Sequence, residues 1–95
     1  MNFYANLPPL AERVLQGHGM RILQSVAKME RALINPCVMA VSRNAHIHKT
    51  NTLYALYSLD HAKLIVVHSD GTQNIRAQMT DAGWALVGGK PGWMN

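Results

Sequence analysis

The chain has 95 residues, enough for one compact domain and too short for a second. Apolar residues make up 48% and charged residues 15%, which supports a real core and excludes a disordered composition. Nine Lys and Arg against five Asp and Glu leave a net charge of +4, a balance that suits an anionic partner without specifying one.

The longest purely apolar run, Leu64 to Val67, is far too short for a membrane span, and the N-terminus lacks the pattern of a signal peptide. The single cysteine, Cys37, excludes an internal disulfide and a cysteine-rich zinc site. A soluble cytoplasmic protein with no membrane association is expected.

Leu7-Pro8-Pro9 opens a helical pattern, and Leu7, Leu10, Val14 and Leu15 form one apolar stripe. Gly17-His18-Gly19 interrupts it. Ile22, Val26, Met29 and Leu33 then recur at helical spacing and predict a second helix. Asn35-Pro36 reads as a restart, with Asn as cap and Pro in the first turn of a short helix that ends near Ser42 or Arg43. Val38 and Val41 point inward there, and Cys37 is expected to be buried just inside it. Asn44 is the expected left-handed turn residue, because Asn tolerates positive φ.

From Lys49 to His61 the period is helical again. Thr52, Ala55, Leu56 and Leu59 form the inner face, while Asn51, Tyr54, Tyr57 and Ser58 look outward. Leu64 to Val67 reads as a strand, and Asp70-Gly71 predicts a two-residue type I′ turn. The returning strand alternates, with Ile75, Ala77 and Met79 on one face and Asn74, Arg76 and Gln78 on the other. Thr80 caps a last short helix, Asp81 to about Val87, which ends at Gly88-Gly89.

The order is α+β and mostly helical. A short helix, a tight turn and a second helix make a helix-turn-helix over about residues 36–62, and the hairpin at about 64–79 forms a wing. An extra N-terminal helix and a short C-terminal helix complete a single domain over 1–95. Within it, Met79-Thr80-Asp81-Ala82-Gly83-Trp84-Ala85-Leu86 is similar to a Leu-Thr-x-x-Gly-x-x-Leu pattern. Leu59-Asp60-His61-Ala62-Lys63-Leu64-Ile65 is similar to Leu-Glu-x-x-Gly-Leu-Ile, with Lys63 in place of glycine. In these motifs, residues 36–87 resemble the winged helix-turn-helix repressors of the multiple-antibiotic-resistance (MarR) type. There His48 stands where a capping Ser or Thr is common.

The resemblance implies double-stranded DNA as partner, read by the helix at 49–61 in the major groove. Asn51 would pair with adenine. His48, Lys49 and Thr50 would reach phosphates or base edges, and Tyr54 and Tyr57 the backbone or thymine methyls. Arg43 in the turn, with Gln73, Asn74 and Arg76 in the wing, would contact phosphates or the minor groove. A homodimeric transcriptional regulator or repressor, of bacterial or phage origin and needing no cofactor, is the implied function. The same tyrosine-bearing face would also suit a protein partner, in an adapter or inhibitor without specific DNA binding.

His46, His48, His61 and His68 cluster within residues 46–68, but their spacing matches no standard zinc module. They suggest instead that DNA binding tightens from pH 8 to pH 6. Gly88-Gly89-Lys90-Pro91-Gly92 lacks the spacing of a phosphate-binding loop. Few acidic residues and no nucleophile motif argue against an enzyme.

Overall fold

The computed structural model describes residues 15–70 and 74–94. After a short π-helical turn at Leu15–Gly19 come α1 (Met20–Arg31), α2 (Val38–Ala45) and α3 (Lys49–His61). The hairpin strands β1 (Ile65–Ser69) and β2 (Ile75–Met79) follow, then α4 (Asp81–Leu86) and a 3-10 turn at Gly92–Met94. Of the expected N-terminal helix, Leu7, Leu10 and Val14 lie outside the described residues, and Leu15 is buried. The expected break is at Gly17, whose φ/ψ of −96° and −128° is not helical.

Each helix buries the face its apolar spacing dictates. Ile22, Leu23 and Val26 of α1, Val41 of α2, and Leu56 and Leu59 of α3 are fully buried, with Ile65 and Trp84 beside them in one core. The stripe of α1 stops at Met29, however. Leu33, expected to continue it, is 81% exposed and has φ +59°. Its N–H donates to the Glu30 carbonyl, and the next N–H, of Ile34, reaches back to Met29. This pair of bonds is a Schellman closure, which requires a left-handed residue where the helix ends.

The same closure recurs twice. After α2, the His46 and Ile47 N–H groups bond the Arg43 and Ser42 carbonyls; after α3, those of Lys63 and Leu64 bond Asp60 and Leu59. His46 and Lys63 have φ +56° and +64°. The left-handed residue of the helix-turn-helix is therefore His46 and not Asn44. Asn44 stays helical, and its Oδ1 accepts from Ser25 Oγ at 2.6 Å, tying α2 to α1. Intrinsic preference favours Asn, but the closure sits where the following residue, Ile47, can enter the core.

The start of α2 is also displaced. Asn35 does not cap it and Pro36 is not in its first turn; the helix begins at Val38, behind Cys37 in extended conformation. Pro36 is buried and its carbonyl accepts from Ala77 N–H at 3.0 Å, while Cys37 bridges to Arg76. The segment thus lies along the free edge of β2, where a proline is tolerated because only its carbonyl is used. Cys37 is consequently half-buried at the head of α2 instead of enclosed within it.

The strands pair antiparallel, Ile65 opposite Met79 and Ser69 opposite Ile75. Ile65, Ala77 and Met79 are buried, whereas Val66, Arg76 and Gln78 are exposed, as alternation requires. With Ser69 opposite Ile75, residues 70–74 all belong to the connection, so it is not the two-residue turn expected at Asp70-Gly71. Gly71 to Gln73 lie outside the described residues.

Beyond the hairpin, Thr80 caps α4 as expected: its Oγ1 accepts from Gly83 N–H at 3.1 Å and donates to the Lys63 carbonyl at 2.8 Å. A Cβ on Gly83 would stand 2.0 Å from the Leu64 carbonyl oxygen, so only glycine lets α4 approach the start of the hairpin this closely. Arg31 clamps the other side, donating to the Val87 carbonyl at 2.7 Å with its guanidinium 5.1 Å from the Trp84 ring centre. Trp93 lies in the terminal 3-10 turn and is exposed.

Candidate nucleic-acid interface

The turn between α2 and α3 is held at one carbonyl. Ile47 O receives Ser42 Oγ at 2.5 Å and Thr52 Oγ1 at 3.2 Å, which aligns the end of α2 with the first turn of α3. His48 takes the capping position itself, its Nδ1 accepting from Thr50 N–H at 3.2 Å.

With Thr52, Ala55, Leu56 and Leu59 turned into the core, the helical period sends Asn51, Tyr54 and Tyr57 the other way. Tyr54 is 78% and Tyr57 49% exposed, and His48, Lys49, Thr50 and Asn51 are exposed as well. Arg43 is exposed in the last turn of α2. The side chains of Arg43, Lys49 and Asn51 hold no hydrogen bond or ion pair among the described residues.

Between the first turn of α3 and the wing lies an open groove of about 780 Å³. Lys49 lines it from α3, His68, Asn74 and Arg76 from the hairpin, and Cys37 to Met39 from the start of α2. Three expected contacts, Lys49, Asn74 and Arg76, therefore share one concavity, while the others lie on the adjoining α3 face and the end of α2. Gln73 lies outside the described residues. The wall from Asn35 to Met39 has no local sequence signal, because its position depends on pairing with β2, which the Asn-Pro pattern does not encode.

The groove is not uniformly positive. Asp70 lines it and accepts from Asn74 Nδ2 at 3.3 Å. At the far end of β2, Glu30 Oε1 accepts from Met79 N–H at 3.0 Å. Burial pushes the Glu30 carboxyl above its usual range; the Met79 N–H and the Arg76 charge oppose that rise and only partly offset it.

The four histidines do not converge: His46 closes α2, His48 caps α3, His61 ends it, and His68 bonds Gln78 in the wing at 2.8 Å. Among the described residues no group of three His, Cys, Asp or Glu side chains could hold a metal ion. No described helix is long and apolar enough to cross a membrane.

No family model matches the chain, and no curated protein matches it. Among solved structures, the chain is similar to Bordetella bronchiseptica BpsR, a protein whose DNA binding is regulated by 6-hydroxynicotinic acid. The alignment covers 92% of this chain and 72% of that one, with a TM-score of 0.56 and 18% identity. At that identity the likeness is one of fold, and with the α2–turn–α3–hairpin order it establishes a winged helix-turn-helix.

Proposed function

We propose that the protein binds double-stranded DNA through α3 and the wing, as a homodimeric transcription regulator of the repressor kind. The observation that carries this reading is the first turn of α3: capped, solvent-facing, and bordered by a groove that gathers Lys49, Asn74 and Arg76. A helix presented this way fits the major groove with its N-terminal residues at base edges. The fold shared with BpsR, itself a DNA binder, is consistent with it.

In this arrangement Asn51 pairs with the edge of adenine, the common bidentate contact for an amide side chain. Lys49, Thr50 and His48 reach the flanking phosphates or neighbouring base edges. Tyr54 and Tyr57 lie one and two turns further along, against the backbone or thymine methyls. Arg43 contacts a phosphate beside the turn, and Arg76 with Asn74 and Gln73 hold the strand under the wing. Two copies would read half-sites about one helical turn apart.

Fluorescence anisotropy tests this with the gene's own upstream duplex and a scrambled duplex, each across a salt series. Preference for the upstream duplex is expected. Equal, weak and steeply salt-dependent binding reflects phosphate attraction alone. That result would transfer the α3 face to a protein partner, a reading favoured by the exposure of Tyr54 and Tyr57. Under it, Tyr54→Ala and Tyr57→Ala would abolish partner capture in a pull-down while Lys49→Ala would not.

A further inference from the structure

A second polar groove lies at the other end of α2. Arg21, Gln24 and Lys28 follow one another at helical spacing on the exposed face of α1. Across from them stand Asn44, Ala45 and His46, and the two sides enclose a groove of about 190 Å³. Its floor is fixed by the Ser25–Asn44 hydrogen bond, which holds α1 against α2. Among the described residues no acidic one lines it. Arg21 and Lys28 hold no ion pair among the described residues; Lys90 and Asp81, paired at 2.9 Å, join the start of α4 to the segment after it.

Position gives this groove its meaning. The wing groove meets α2 at Cys37 to Met39, and this one meets it at Asn44 and Ala45. The eight residues of α2 separate the two by about 12 Å at 1.5 Å per residue, roughly the width of the DNA major groove. From His46 to Lys49 is three Cα steps, at most about 11 Å. The α1–α2 groove therefore begins within about 11 Å of Lys49, within reach of the backbone that flanks a duplex engaged by the first turn of α3.

Resting on the DNA-binding reading above, we infer that the α1–α2 groove seats phosphates of the DNA backbone, with Arg21 and Lys28 as the contacts. The duplex is then held from both ends of α2, by the wing on one side and by α1 on the other. Such contacts carry no sequence information and show themselves in salt dependence.

The test measures anisotropy with a mixed-sequence duplex and with the upstream duplex from 50 to 200 mM salt. It compares the wild type, Arg21→Gln/Lys28→Gln, and a control of equal net charge, Lys63→Gln/Lys90→Gln. Circular dichroism checks that all three are folded. Each phosphate contact adds about 0.9 to the slope of log K against log salt, or about 3.5-fold across that range. The Arg21/Lys28 variant is expected to lower the slope by about 2 on both duplexes, shrinking the salt-induced loss roughly ten-fold, while the control keeps the wild-type slope. Equal slopes for the variant and the control overturn the inference. A lowered slope without any preference for the upstream duplex keeps the groove and removes specific regulation. Failure of the wild type to bind either duplex at 50 mM salt overturns both.

Discussion

The two ends of α3 are built on opposite principles. Its exit is locked: Lys63 is left-handed, Gly83 is pressed against the Leu64 carbonyl, and Thr80 bonds both Gly83 and Lys63. Asp60 adds a carboxylate that receives Val67 N–H from β1 at 2.6 Å. Its entrance is open. There Lys49 and Asn51 are exposed and hold no hydrogen bond or ion pair among the described residues. The exit residues are taken up by internal contacts, whereas Lys49 and Asn51 are not, so substitutions at the exit should change stability and those at Lys49 and Asn51 should change binding.

The sharpest way to break this contrast is Gly83→Ala. The contact it creates is with backbone, which cannot swing aside, so a loss of about 3 kcal/mol is expected, near the upper end of overpacking costs. Thermal unfolding should show a fall in Tm of roughly 12–24 °C. A wild-type Tm would remove Gly83 from the locking of the exit. At the entrance, Asn51→Ala should leave Tm unchanged but cost about 1–3 kcal/mol of preference for the upstream duplex over the scramble. Loss of Tm there would mean that the entrance is structural after all.

Thr80→Ala removes the cap of α4 and the bond to Lys63, and about 1 kcal/mol of stability should go with it in a denaturant titration. Lys63→Gly should act in the opposite direction. Glycine takes a φ of +64° without steric cost, so a gain of about 1 kcal/mol is expected in the same titration.

The smallest effect is expected at Glu30, beneath the wing. Its carboxyl is raised in the folded chain chiefly by burial, so folding favours its protonated form. That contribution is present at acid pH, below the unfolded value, and is lost as pH rises through the raised folded value. Glu30→Gln keeps an acceptor for Met79 N–H without the buried charge. Its Tm relative to wild type should therefore improve from pH 4 to pH 7; a difference that stays flat with pH would show that Glu30 is not penalised by burial.

Much of this was legible from residue order. The inner face of α3 follows from Thr52, Ala55, Leu56 and Leu59, all buried, and the Thr80 cap and the alternation of β2 follow equally directly. Of the expected contacts, Tyr54 and Tyr57 are on the surface because the helical period puts them opposite that buried face, and Lys49 and Asn51 because they stand in the exposed first turn. What could not be read was the company these residues keep. Nothing near Met79 indicates that Glu30 accepts its N–H, and nothing near Asn44 indicates that Ser25 donates to its side chain.

By itself, then, the sequence determined the succession of elements and which side of each faces the core. Apolar spacing and capping act over a turn or two of chain, within reach of local pattern. Only the tertiary structure decided where the helices end, how long the wing connection is, and where the two polar grooves lie. Leu33, His46 and Lys63 adopt a conformation that their side chains disfavour because the residues after them must enter or leave the core at those points. The segment at Pro36 is extended because the edge of β2, forty residues away, offers it the Ala77 N–H. Contacts between segments so distant in the chain leave no mark on local propensity, and both grooves are made of them.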